Sequence, residues 1–183
     1  MRSMVEGAGG LTRRWPGAPK ANPLRQRFAL PPPRPGEELR GESMSTPPTL
    51  GFIGLGVMGS GMCANVVKKH GAKVHAFDMV PAALAEQVQN GAIAAASVSD
   101  VAKAAEIIML SLPGGKQVAA VCEEIAAEAR PGTVVIDLST TSVAEAREIA
   151  AKLAEKGMLF SDAPVARTRE AAQQGTLSIM VGA

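Results

Sequence analysis

An α/β fold with a doubly wound, mainly parallel sheet is the architecture that this sequence predicts, and three observations predict it. From Thr49 onward, short apolar runs alternate with alanine-rich stretches of helical periodicity, which is typical of repeated βα units. The runs EIIMLSL and TVVID are apolar on both faces, as strands covered by helices on both sides must be. A glycine-rich turn joins the first apolar run to the first helical stretch, which favours a Rossmann-type fold.

The same periodicities place the individual elements. Strands are predicted near 49–53, 73–77, 107–111, 133–137 and 158–162, with a weak one near 92–95 and another at 177–181. Helices are predicted near 57–69, 81–89, 99–104, 115–129, 142–155 and 167–174. Ser142 and Glu145 have the spacing of a capping box, which fixes where the helix over 142–155 begins.

Composition divides the chain into two regions. Nine of the thirteen prolines lie in residues 1–48, and eight basic residues lie in residues 1–43. We therefore expect residues 1–47 to be a disordered, Pro- and Arg-rich extension and residues 48–183 to form an NAD(P)-binding Rossmann-like domain. The extension is interpreted as an upstream continuation of the reading frame before Met44, with an organelle transit peptide as the alternative.

Bulk properties exclude several classes of function. The net charge of +2 is too small to indicate nucleic-acid or membrane partners, and no apolar stretch approaches the length of a membrane helix. Cys63 and Cys122 are far apart within helical patterns, so neither a disulfide framework nor a metal site is expected. This pattern favours a reducing, cytoplasmic location.

The turn Gly54-Leu55-Gly56-Val57-Met58-Gly59 predicts a dinucleotide site. The first glycine makes the tight turn, the second lets a pyrophosphate approach the backbone, and the third lets helix and strand pack closely. The N-terminus of the following helix offers N–H groups and partial positive charge to phosphates. Asp78 ends the next strand, where a carboxylate accepts hydrogen bonds from the ribose hydroxyls and repels a 2′-phosphate. NAD is therefore predicted over NADP.

Further polar residues follow later strands, where α/β sheets bind their ligands. SLPGG, which begins at Ser111, is predicted to lie along the ribose and phosphates of the cofactor. Ser139 and Thr140 are predicted to point free hydroxyls into the cleft, since Ser142 is used as a cap; the alternative is a polar turn whose hydroxyls are satisfied locally. Arg167 and Arg169 follow the strand near 158–162; Arg169 is expected to lie on a solvated face, whereas Arg167, closer to the strand end, is a candidate for a ligand contact.

Four motifs in order, GFIGLGVMG, LSLPGG, DLSTTS and DAPV followed by GTLSIMVGA, resemble those of the β-hydroxyacid dehydrogenases, the family of 3-hydroxyisobutyrate and tartronate semialdehyde reductases. The resemblance runs from about Thr49 to Ala183 and implies that Ser139 contacts the carboxylate of the substrate. It further implies cofactor contacts by Val57, Met58, Asp78, Leu112, Pro113 and Thr140.

The chain departs from the commoner family pattern in two places, the segment Ala166-Arg167-Thr168 at the proposed substrate site and position 143 at a helix start. DAPVART replaces Asp-Ala-Pro-Val-Ser-Gly-Gly, so Arg167 and Thr168 stand where two glycines are usual. A guanidinium binds anions in a bidentate manner, and the pattern resembles the branch that reduces sulfolactaldehyde. The expected substrate is a small hydroxyacid or semialdehyde with a strongly anionic head. Val143 also replaces a common proline in the first turn of a helix.

The resemblance implies a second, all-helical domain that carries a catalytic lysine, and this domain is absent from the chain. No lysine or histidine here matches a catalytic motif, so no catalytic residue is predicted. The main hypothesis is the cofactor-binding domain of an NAD-dependent 3-hydroxyacid dehydrogenase, inactive by itself. The alternatives are an NAD-binding module or truncated gene product without turnover, and an NADP-dependent domain like that of 6-phosphogluconate dehydrogenase. We expect self-association or the missing helical domain to cover apolar surface near the last strand.

Overall fold

The computed structural model of the protein describes residues 47–182, which contain eight strands and six helices. The strands are β1 (Leu50–Ile53), β2 (Val74–Phe77), β3 (Ile93–Ala94), β4 (Ile107–Leu110), β5 (Val134–Asp137), β6 (Leu159–Asp162), β7 (Val165–Ala166) and β8 (Ser178–Ile179). The helices are α1 (Gly59–His70), α2 (Pro81–Gln89), α3 (Val98–Ala104), α4 (Gly115–Glu128), α5 (Val143–Glu155) and α6 (Arg169–Gln174). The predicted extension at 1–47 lies, apart from Pro47, outside the described residues.

Six strands form one parallel sheet in the order β3-β2-β1-β4-β5-β6. This is the strand order of the doubly wound dinucleotide-binding fold, and it confirms the predicted fold class. The chain moves outward from β1 to β3 and then crosses back to β4 on the other side of β1. The carboxyl ends of β1 and β4 therefore border the crevice in which such folds bind ligands.

Side chains of the central strands alternate between two apolar layers, which explains why these strands read as continuous hydrophobic runs. On β4, Ile108 and Leu110 belong to the layer that contains α3, α4 and α5, whereas Ile107 and Met109 pack with the other layer. That second layer is formed with α1, α2 and α6 around the fully buried Phe52. The sheet is thus covered on both faces.

Local sequence signals set the helix starts. The Ser142 side chain accepts from the backbone N–H of Glu145, whose carboxylate accepts in return from the Ser142 backbone, so the predicted capping box is confirmed. Ser97 caps α3 by accepting from the backbone N–H of Asp100 at 3.1 Å. Pro81 stands in the first turn of α2, where the N–H that proline lacks has no helical partner.

The last elements differ from the prediction. The strand predicted at 177–181 is only the two-residue β8, which pairs antiparallel with the unpredicted β7 in a separate small sheet. The helix predicted over 167–174 begins at Arg169, because Thr168 has an extended backbone and serves as its N-cap. Short strands of this kind depend on a distant partner and leave no periodicity to read.

Helix α6 is fastened to α1 by one amide. The Asn65 Nδ2 group lies 2.9 Å from the carbonyl oxygens of Gly61, Ala172 and Gln173.

None of the helices in residues 47–182 has the length and hydrophobicity that a membrane crossing requires. Within the same range, no group of His, Cys, Asp or Glu side chains is arranged to hold a metal ion.

Candidate functional site

A cleft of about 810 Å³ opens at the carboxyl ends of β1, β2 and β4. Its floor is the glycine turn after β1, and the segment that follows β4 forms one wall. The residues that line it are Ile53, Gly54, Gly56, Val57, Met58, Gly59, Phe77, Asp78, Met79, Ala96, Ser97, Val98, Ser111, Leu112, Pro113, Gln117, Ala120, Val121 and Glu124. Eight of the ten predicted cofactor residues are therefore brought together in one cavity.

The backbone of the glycine turn is held by close contacts that exclude side chains. Gly54 has a φ of 95°, and a Cβ atom there would collide with the carbonyl oxygen of Ser111 after β4. A Cβ atom on Gly59 would collide with the carbonyl oxygen of Gly54. No atom lies within 4 Å of the place where a Cβ of Gly56 would stand, so this part of the turn faces open space. A bulky anionic group can approach the backbone there.

Asp78 is tied to the glycine turn. Its Oδ2 accepts from the backbone N–H of Leu55 at 2.5 Å, and its Oδ1 accepts from the backbone N–H of Val80 at 2.7 Å. The Leu55 side chain is 2% exposed and lies in the core, so only its backbone belongs to the site. Because each carboxylate oxygen has more than one acceptor position, Asp78 retains capacity for ribose hydroxyls.

Ser139 does not carry the free hydroxyl that the sequence predicts. Its side chain is buried, and its Oγ accepts from the backbone N–H of Leu112 at 2.9 Å. The prediction missed this bond because residues 112 and 139 are distant in sequence and meet only where β4 and β5 pair. The hydroxyl keeps its own proton to donate. Thr140 is exposed, but neither it nor Ser139 lines the cleft.

A buried carboxylate holds this loop in place. Asp137 is 1% exposed and accepts from the backbone N–H of Ser139 at 2.9 Å and from the Thr141 hydroxyl at 2.5 Å. No role was predicted for Asp137, although an acidic residue at the end of an apolar strand was a visible signal in the sequence. Asp137 therefore connects the end of β5, through Ser139, to the segment after β4.

Arg167 and Thr168, the other predicted substrate residues, lie beyond β7 and do not line the cleft. Arg167 is exposed, with a φ of 98°, and has no hydrogen bond or ion pair within residues 47–182. Thr168 uses its hydroxyl to cap α6, accepting from the backbone N–H of Ala171 at 3.4 Å. A side-chain hydrogen bond with Thr168 also holds the pKa of Glu170 below its usual value.

One wall of the cleft was not predicted. Gln117, Ala120, Val121 and Glu124 recur at helical spacing along α4 and line the cleft, as do Ala96, Ser97 and Val98 at the start of α3. The spacing was visible in the sequence, but a helix stripe of this kind is equally typical of a core face. Cys63 and Cys122 lie elsewhere; burial raises the pKa of each thiol to about 12, so both are protonated at neutral pH.

Residues 49–183 match a protein family described as "NAD binding domain of 6-phosphogluconate dehydrogenase". The chain belongs to this family. The matched region begins just before β1 and contains the glycine turn, Asp78 and every residue that lines the cleft.

Several proteins similar to this chain carry the names of dehydrogenases. The 2-(hydroxymethyl)glutarate dehydrogenase of Eubacterium barkeri is 41% identical over 137 residues, which are 73% of this chain and 45% of that protein. The NAD-dependent L-serine dehydrogenase of Pseudomonas aeruginosa is 37% identical over 136 residues, with the same two shares. The structure of Mycobacterium tuberculosis 3-hydroxyisobutyrate dehydrogenase with L-serine superposes with a TM-score of 0.71 at 38% identity, covering 74% of this chain and 46% of that one.

The chain thus spans about half the length of the curated relatives it matches. The resemblance to the β-hydroxyacid dehydrogenases is confirmed, and residues 49–183 are an NAD-binding domain of that family.

Proposed function

We propose that this domain binds NAD in preference to NADP and serves hydride transfer to or from a small anionic hydroxyacid or semialdehyde. The observation that carries the proposal is the position of Asp78, which lines the cleft at the end of β2 and is fixed beside the glycine turn. A 2′-phosphate on the adenosine ribose would place like charges together at this point. Met79 and Val80 follow, so no arginine is adjacent to neutralise such a phosphate.

Ten residues are proposed to hold the coenzyme. The backbone of the turn and the N-terminus of α1 would bind the pyrophosphate, and Asp78 would bind the hydroxyls of the adenosine ribose. The segment after β4 would contact the nicotinamide half of the coenzyme. The nicotinamide of a bound coenzyme supplies or accepts the hydride. The full set is Gly54, Leu55, Gly56, Val57, Met58, Gly59, Asp78, Leu112, Pro113 and Thr140.

The substrate would lie beyond the cleft, toward Ser139, Arg167 and Thr168. Ser139 would donate its proton to a substrate carboxylate while its oxygen still accepts from Leu112. An exposed guanidinium at 167 suits a strongly anionic head. Arg167→Ala should therefore raise the KM for such a substrate in a protein that also carries the helical domain of the family. An unchanged KM for every anionic substrate tested would contradict this assignment.

Turnover needs a group that donates or accepts the hydroxyl proton of the substrate. Among the residues that line the described cleft there is no lysine or histidine. Among the described lysines, Lys152 pairs with Glu123 at 2.9 Å and Lys103 pairs with Glu128 at 3.3 Å, and neither lines the cleft. We therefore expect the 183-residue chain to bind the coenzyme without catalysing the reaction.

The test is calorimetric titration of the 183-residue chain with NADH and with NADPH. We expect NADH to bind at least about tenfold more tightly, which corresponds to roughly 1.4 kcal/mol of unfavourable charge contact with the phosphate. Asp78→Asn should bring the dissociation constants for NADH and NADPH closer together, because it removes the negative charge and keeps the size of the side chain.

Glu155→Gln is the matched control, because it removes one negative charge at the far end of α5 and should leave the ratio unchanged. Preference of the natural sequence for NADPH would overturn the assignment of Asp78 and favour the NADP-dependent alternative.

A further inference from the structure

The segment that follows β4 is held from two sides. Toward β1, the backbone N–H of Ser111 donates to the carbonyl oxygen of Ile53 at 2.9 Å. Toward β5, the backbone N–H of Leu112 donates to the Ser139 hydroxyl at 2.9 Å, where a strand would use a backbone carbonyl. Pro113 comes next and has no N–H, so Leu112 is the last backbone donor of this cleft-lining pair. The Ser139 oxygen therefore fixes the side of the segment that faces β5.

Asp137 determines where that oxygen lies. Its Oδ1 accepts from the backbone N–H of Ser139 at 2.9 Å, and its Oδ2 accepts from the Thr141 hydroxyl at 2.5 Å. The two bonds hold the chain at positions 139 and 141, immediately after β5. Ser139 is 6% exposed, so water has little access to compete for its oxygen. The position of the Leu112 backbone thus depends on a carboxylate that it does not touch.

The charge of Asp137 lies within the core. Its negative charge adds to the effect of burial in raising the pKa of the buried Cys122 thiol to about 12. Asp137 has no ion-pair partner within residues 47–182, so the hydrogen bonds from the loop after β5 stabilise its charge. Withdrawing a carboxylate from water is unfavourable, and apolar side chains often replace buried charges without loss of stability. A role in positioning this loop gives a reason for a carboxylate here.

We propose that Asp137 is a positioning residue for coenzyme binding. It acts through Ser139 to hold Leu112 and Pro113 where they would meet the nicotinamide half of the coenzyme. This inference rests on the proposed binding of a dinucleotide in the cleft. Neither Asp137 nor Ser139 lines the cleft, so the effect of Asp137 is confined to the half of the ligand beside Leu112. The adenosine half, beside Asp78 and the glycine turn, is held independently of it.

The test compares NADH with ADP, which carries the adenosine and two phosphates but no nicotinamide. Both are titrated by calorimetry into the 183-residue chain. Ser139→Ala removes the acceptor of the Leu112 N–H and should weaken the binding of NADH about tenfold, the range of one buried hydrogen bond left unmade. Asp137→Asn replaces one accepting oxygen by a donating amide and should weaken it about threefold. The affinity for ADP should change by less than about twofold in both variants.

The double variant shows whether the two residues act in sequence. If Asp137 acts through Ser139, Asp137→Asn adds nothing once position 139 is changed, so the double variant should bind NADH as Ser139→Ala does. Multiplication of the two losses would show that Asp137 acts by another route and would overturn the inference.

Ile149→Val is the matched control, since it removes one methylene from the buried core at α5 and touches none of these hydrogen bonds. It should leave the affinities for both ligands as they are. Circular dichroism checks that each variant is folded. If Asp137→Asn does not fold, Thr141→Val takes its place, because it removes the second donor to Asp137 and should also weaken the binding of NADH alone.

Two results would refute the role of Asp137 and leave the proposed function standing. One is an unchanged affinity for NADH in the folded variants. The other is an equal loss of affinity for NADH and ADP, which a general loosening of the domain would cause. If the folded natural sequence binds neither ligand, the proposed function fails and this inference fails with it.

Discussion

At Arg167 the chain adopts a backbone conformation that residues with a side chain rarely occupy. A φ of 98° brings Cβ close to neighbouring backbone atoms and costs on the order of 1–3 kcal/mol in a residue other than glycine. The side chain is exposed and no described contact compensates this cost. Strained residues of this kind persist mainly where they serve a function, so the strain at Arg167 supports its proposed role in substrate binding.

Arg167→Gly should therefore stabilise the folded domain. We expect the free energy of unfolding to rise by about 1 kcal/mol, since the relief of strain exceeds the entropy that glycine adds to the unfolded chain. Urea denaturation measures the change. Arg169→Gly, in the first turn of α6, is the control and should lower stability by up to about 1 kcal/mol. Equal destabilisation by the two substitutions would refute the interpretation of strain.

Among the elements, α5 has the most completely specified start. Its capping box satisfies backbone N–H groups that otherwise lack partners at a helix N-terminus. Ser142→Ala removes the side-chain half of this arrangement and should cost about 1 kcal/mol of stability. Thermal unfolding at pH 7 checks the value. The control is Ser99→Ala, which removes a serine hydroxyl within α3. Thr141→Ala is unsuitable, because the Thr141 hydroxyl donates a hydrogen bond to Asp137.

The capping box also makes α5 sensitive to acid. Hydrogen bonds from the Ser142 side chain and backbone lower the pKa of Glu145 in the folded state, with a smaller effect of Lys116. The resulting stabilisation is present above the pKa of the unfolded chain, near 4.5, and is lost as the pH falls through the lower folded value. In unfolding measured between pH 7 and pH 3, Glu145→Gln should lose less stability than the natural sequence. Parallel curves would contradict this.

Sequence reasoning placed elements well where their signals are local. The start of α5 follows from the capping box, and the glycine turn and the buried strands follow from short runs of neighbouring residues. The pair β7 and β8 was missed because each strand is two residues long and exists only through the other. The start of α6 was placed two residues early, since Thr168 was interpreted as a substrate contact and not as a cap.

For the whole molecule, the strand order could be anticipated, because a glycine turn after the first strand is found in one common doubly wound topology. The shape of the cleft could not. Its α4 wall depends on how a helix packs over β4, and the bond between Ser139 and Leu112 depends on the pairing of β4 with β5. Contacts of this kind arise from tertiary packing, and the helical spacing of the α4 residues does not by itself distinguish a cleft wall from a core face.

Ligand binding should be visible in the stability of the whole domain. A ligand present at 100 times its dissociation constant adds about 2.7 kcal/mol to the folded state, and NADH should therefore raise the Tm by several degrees. Nicotinamide mononucleotide at the same concentration is the control and should raise the Tm less, because it lacks the adenosine half whose ribose Asp78 would hold. An unchanged Tm with saturating NADH would count against the proposed site.

The glycine turn also bears on how this sequence can change over generations. Backbone carbonyl oxygens lie where a Cβ atom would stand at positions 54 and 59, so substitutions there force the backbone to shift and destabilise the fold together with the ligand site. Position 56 meets nothing within 4 Å and tolerates a methyl group in the unliganded domain. Homologues that no longer bind the coenzyme should therefore keep Gly54 and Gly59 and lose Gly56 first. The residue at position 56 thus indicates whether coenzyme binding is still under selection.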